Sequence, residues 1–120
     1  MIKTVQLNPW LTELLEAGLE PAEVLAIIRS FQETAPAILA EAEQHLDRGD
    51  AKEGARAAHR LVGGAANVGL VKLEMVVRDL ERCCEEGEPS RAMGLLGAVG
   101  NVFETAQKEL EVACALLKGA

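Results

Sequence analysis

One histidine in this chain sits where an imidazole could act as a nucleophile. His59 lies in the stretch AAHRLVGGAANVGL, residues 57–70, among alanines and aliphatic side chains, with the adjacent pair Gly63 and Gly64 just beyond it. In a helix each glycine costs about 1 kcal/mol relative to alanine, so packing or function must offset the pair. Histidine is the side chain whose unperturbed charge change falls between about pH 5 and 8. An exposed neutral imidazole therefore offers a ring nitrogen that can attack an electrophile.

Helical geometry predicts that the ring is exposed. At about 100° per residue, Ala51, Gly54, Ala57, Ala58, Leu61, Ala65 and Val68 gather into one sector, the expected core. His59 falls roughly 140° from the middle of that sector, too far round for a buried core histidine. Its face-mates are Lys52, Ala55, Arg56, Val62, Gly63 and Ala66. Gly63, one turn on along the same face, removes a side chain where a visitor would approach, and Ala55 and Ala66 keep the patch shallow. Lys52 and Arg56 make it locally positive, while Arg60, about 100° round the helix, is the weaker candidate. A bare face flanked by cations suits a flat anionic group such as a phosphorylated carboxylate. Departures from local propensity of this kind gather at functional sites.

The elements that must position this ring are marked by punctuation. Asn8 suits an N-cap, Pro9 the first helical position and Gly18 a C-terminal stop, giving a short covering helix within residues 1–20. A second helix starts at Pro21, and its apolar residues from Val24 to Leu46 recur at three- and four-residue steps, the amphipathic pattern. A kink is expected at Pro36 and an end at Gly49. Asp50 caps a third helix, with Glu53 completing an approximate capping box, and that helix runs to about Asn67. A fourth opens at Gly69 and breaks at EEGEPS, and Pro89 starts a fifth. Neither strand signals nor internal repeats are present. The prediction is an all-α fold, a single domain over 1–120: an antiparallel four-helix bundle at 21–118 with a short additional N-terminal helix. Gly94, Gly97 and Gly100 weaken the last helix, and close approach of a neighbouring backbone is the expected reason.

Composition narrows the function. The 120 residues suit one domain, and a net charge of −7 argues against nucleic acid as a partner. Hydrophobic residues make up 49% of the chain, enough for a core, while one Trp, two Phe and no Tyr disfavour strands. No apolar run approaches the roughly 18 residues of a membrane span, and the start lacks the layout of a secretion signal. Cys83, Cys84 and Cys114 fit neither a disulfide framework nor a zinc pattern and read as core filler in a reduced, cytoplasmic protein.

Taken together, these residues resemble the histidine phosphotransfer (HPt) domains of bacterial multistep phosphorelays. The family's alanine-histidine pair, following leucine and glycine, small residues and later Leu…Leu-Glu correspond to Ala58, His59, Leu61, Gly63, Ala65, Ala66, Asn67, Gly69, Leu73, Leu80 and Glu81. Upstream, Phe31, Pro36, Leu39, Gly49 and Asp50 also fit, and the resemblance covers about residues 21–117. One departure is that the lysine usual at the third position after the histidine is Val62, with Arg56 the candidate to replace its charge.

The resemblance implies that Nε2 of His59 takes a phosphoryl group from the aspartyl phosphate of a receiver domain and yields it to another receiver. The expected partners are response-regulator receivers, a hybrid histidine kinase, or both. The receiver is expected to bring Mg²⁺, the chain holding no cofactor or metal of its own. It has no nucleotide-binding glycine loop, so it is expected to be a phosphocarrier rather than a kinase. A monomer is expected, and Met1 with the capped first helix favours a free-standing chain. The rival reading is an HPt-like docking module that binds a receiver or kinase without efficient transfer. A metal- or haem-holding bundle is disfavoured, because His45, the other histidine, reads as a solvated residue near a helix end.

Overall fold

The computed structural model describes residues 9–119, which form five helices and, among the described residues, no strand: α1 (Pro9–Glu16), α2 (Pro21–Asp47), α3 (Ala51–Asn67), α4 (Val71–Glu85) and α5 (Pro89–Lys118). The cap expected at Asn8 lies outside the described residues. Prolines open α1, α2 and α5, where a missing N–H costs nothing. At the start of α2 the backbone N–H of Glu20 donates to the Glu23 carboxylate at 2.8 Å, half of a capping box. Asp50 caps α3 by accepting from the Glu53 backbone N–H at 3.2 Å.

Gly49 and Gly69, at φ 75° and 66°, reverse the chain at the two ends of α3. Gly69 therefore belongs to the turn, and α4 opens two residues later than expected, at Val71. Helix α2 continues through Pro36, which leaves the Gln32 carbonyl without its usual intrahelical donor.

Connections of residues 48–50, 68–70 and 86–88 are too short for anything but antiparallel neighbours. Helix α3 packs on α2 and α4, α4 on α5, and α5 returns to α2, closing the four-helix ring, while α1 lies against α2. The core is drawn from the predicted stripes: Val24, Ile28, Leu61, Leu73, Val77, Leu80 and Val99 are fully buried. Phe31 and Phe103 meet across α2 and α5 with ring centroids 6.3 Å apart. All three cysteines are buried free thiols. Burial chiefly, with Cys83, Glu81 and Glu85 adding to it, pushes the Cys84 thiol up, and burial does the same at Cys114. Thiols held protonated in this way pack as small hydrophobes.

The lengths are unequal. Helices α2 and α5 have 27 and 30 residues against 17 and 15 in α3 and α4, so the outer pair projects beyond the inner pair at one end.

The glycines of α5 correct one expectation. A Cβ built on Gly94, Gly97 or Gly100 would have no heavy atom within 4 Å, so no neighbouring backbone approaches them; they face open space. Gly97→Ala should accordingly stabilise the bundle by about 1 kcal/mol through helix propensity alone. Denaturant unfolding checks this, the expected result being a higher midpoint at unchanged slope.

Candidate functional site

Helix α3 presents His59 because core residues precede and follow it along the helix. Ala57, Ala58 and Leu61 are buried at 1%, 0% and 1% exposure, which fixes the helix rotation and turns position 59 outward. The His59 side chain is 75% exposed. Its Nδ1 lies 2.9 Å from Oε2 of Glu81 on α4, a carboxylate only 16% exposed. A carboxylate accepts but does not donate, so Nδ1 is the donor in this contact and Nε2 is the ring nitrogen turned away from Glu81.

The glycine pair divides into two roles. A Cβ on Gly64 would rest 3.4 Å from Cδ1 and Cε1 of Phe31, so this glycine admits the α2 ring to the α3 backbone. A Cβ on Gly63 would meet nothing within 4 Å; its bareness serves no internal packing and leaves open surface one turn from the imidazole. Gly54, earlier in α3, is a close-approach site too: its Cβ would sit 2.9 Å from Leu46 Cδ2 and 3.4 Å from Cys84 Sγ.

His59 opens onto a depression lined by Glu53, Ala55, Arg56, His59, Arg60, Glu81 and Glu85. The cations there already have partners. Arg56 donates through Nη1 to Glu53 at 2.7 Å, and Arg60 reaches across to Glu41 on α2. Lys52 is exposed, makes no ion pair among the described residues and lies outside the lining, as do the exposed Gly63 and Ala66. The face expected to be positive is thus a field of mixed charge. Arg60, expected to be the weaker contributor, is part of the lining.

Val62 requires a correction. It is 4% exposed and belongs to the core, not to the face of His59. The reason is that α3 is covered on two sides, by α2 and α4, so its buried arc is wider than a single sector. Val62 stands about 40° from Ala58 and 60° from Ala65 on the wheel, and both alanines are completely buried.

Glu81 is the residue that the wheel of α3 could not supply. It comes from a different helix, 22 residues on, and only the register of α4 against α3 brings it to the ring. Among the described residues no group of three or more His, Cys, Asp or Glu is placed to hold a metal ion. His45 lies half-buried in the last turn of α2, its carbonyl accepting from the Asp50 N–H at 2.8 Å. No helix searched is long and apolar enough to cross a membrane.

A family model described as an Hpt domain matches residues 26–118. No curated protein matches the chain, and no solved structure does.

Proposed function

Because the chain belongs to the Hpt domain family, whose members are phosphocarriers that meet receiver domains and kinases in phosphorelays, we propose that His59 is its phosphoryl acceptor. The single observation that carries this reading is the pairing of an open Nε2 with an Nδ1 held by Glu81. The donor is the aspartyl phosphate of a receiver, and a second receiver takes the group onward. Phosphoryl transfer needs in-line positioning and neutralised charge more than covalent help from the protein. In this reading the receiver supplies Mg²⁺ and its own acidic residues, and the exchange takes place in the cytoplasm with the carrier as a monomer.

Each residue has a stated task. Nε2 attacks phosphorus in line with the departing carboxylate oxygen. Glu81 keeps the proton on Nδ1, fixes the ring plane and balances the positive charge that the imidazole gains as the N–P bond forms. Gly63 and Ala66 let the receiver's surface come close, and the rigid α3 presents the ring without any loop movement.

Incubating the chain with radiolabelled phospho-receivers of its host tests the assignment. Label should appear in an acid-labile, base-stable form on the segment holding His59. Label confined to the receivers, despite measurable binding, would instead establish a docking module without transfer.

Gly63→Leu gives an independent check. Its side chain meets open space, so helicity and unfolding midpoint should hold within about 1 kcal/mol, while receiver affinity falls about tenfold, since a misplaced bulky group disrupts interface complementarity. Calorimetric titration with a receiver measures it, and unchanged affinity removes the cleared-face argument.

A further inference from the structure

We propose that Arg56 is the ligand of the phosphoryl group on phosphorylated His59, and that Glu53 holds its guanidinium in reserve until the phosphate arrives. The inference rests on the acceptor role of His59 argued above and adds the cation that stabilises the product.

The ring itself gives the direction. With Nδ1 facing Glu81 on α4, Nε2 lies on the other side of the imidazole, away from that carboxylate. Arg56 stands on the side of His59 shared with Arg60, which reaches α2; it is three residues before His59 and about 60° round the helix, the neighbouring position on a helix surface. Both residues line the same depression.

Charge gives the need. A phosphoryl group brings about two negative charges near neutral pH to a depression already lined by the carboxylates of Glu53, Glu81 and Glu85. A guanidinium fork matches phosphate oxygens bidentately, which a carboxylate at a single contact does not exploit.

Availability separates Arg56 from Arg60. The Arg56–Glu53 pair lies within one helix, with side chains 65% and 38% exposed; such an exposed pair contributes little to stability and is readily exchanged. Arg60 instead ties α3 to α2 through Glu41, and recruiting it would release a contact between helices. The step balances without further reagents. Nε2 forms the N–P bond as the P–O bond to the aspartyl carboxylate breaks and its electron pair leaves on that carboxylate. The Nδ1 proton stays between the ring and Glu81, and Arg56 exchanges one anionic partner for another.

The test phosphorylates the full chain with phosphoramidate, whose P–N bond breaks with ammonia leaving, and follows the ³¹P resonance of phosphohistidine through a pH titration. In parallel, the equilibrium with a phospho-receiver is measured. Arg56→Ala should move the phosphoryl titration to higher pH and shift the equilibrium about fivefold toward the receiver, the upper range of a solvent-exposed ion pair. Arg56→Lys should recover most of both effects, and Glu53→Gln should move both the opposite way. A phosphorylated Arg56→Ala chain with unchanged titration and equilibrium overturns the inference, as does Arg60→Ala producing the effects that Arg56→Ala does not. If neither donor phosphorylates His59, the functional reading fails first and this inference fails with it.

Discussion

A His59→Gln chain should take up no phosphoryl group from any receiver, while folding as the native protein does. The substitution is expected to be structurally silent because the side chain is 75% exposed and, among the described residues, its polar contact is with Glu81. Glutamine keeps size and polarity but has no basic nitrogen, so the nucleophile is deleted and little else. His45 provides an internal control: it is the only other histidine in the sequence, and label surviving in His59→Gln would have to be traced to it. Acid-labile label persisting at native rates in the variant would end the assignment of His59. Circular dichroism and receiver binding should both be retained, since the docking face is otherwise intact.

Glu81→Gln should be the most damaging substitution that leaves the nucleophile in place. The Glu81 carboxylate, 2.9 Å from Nδ1, can only accept, whereas an amide can also donate. A donating amide would favour the tautomer with its proton on Nε2, which blocks the attacking lone pair. The amide would also fail to offset the charge on the imidazolium-like product. Partners that orient a reactive histidine in this manner are worth about 10- to 100-fold, and a fall in transfer rate of about tenfold is expected. Ring ¹⁵N chemical shifts distinguish this cause from a loss of structure: the native ring should show the Nδ1–H tautomer and the variant a mixture. A variant with native ring shifts and a native rate would show that Glu81 is a bystander. Receiver affinity should change little, so the loss falls on the transfer step.

Much of the scaffold could be read from the sequence because its boundaries rest on local chemistry. Pro9, Pro21 and Pro89 open helices where expected, and Asp50 caps α3 through the predicted contact with Glu53. These are interactions between residues a few positions apart. The exposure of His59 was equally accessible, because a ring opposite a dense alanine-leucine sector has nowhere else to go. The readings that failed depend on distant neighbours. Val62 is buried because two helices cover α3, which a single-helix wheel does not contain. The glycines of α5 suggested contact, but their bareness faces outward, and the structure offers no internal reason for them. Arg60 met Glu41, and His59 met Glu81, through interhelical register. No spacing within α3 encodes either partner.

The excess length of α2 and α5 separates two mechanical regions. With antiparallel neighbours, the first turns of α2 and the last turns of α5 occupy the same extremity, beyond the tips of the inner helices. An excess of at least ten residues corresponds to an overhang of about 15 Å at 1.5 Å per residue. There the chain is buttressed by α1 and by its own partner rather than by a full ring. Although Val24 and Ile28 stay buried there, two long helices and α1 stand in place of the ring of four, and that extremity should shed its amide protons before the middle of the bundle does. The acceptor sits midway along α3, among the most fully surrounded residues, so fraying of the shaft can proceed without unsettling the imidazole.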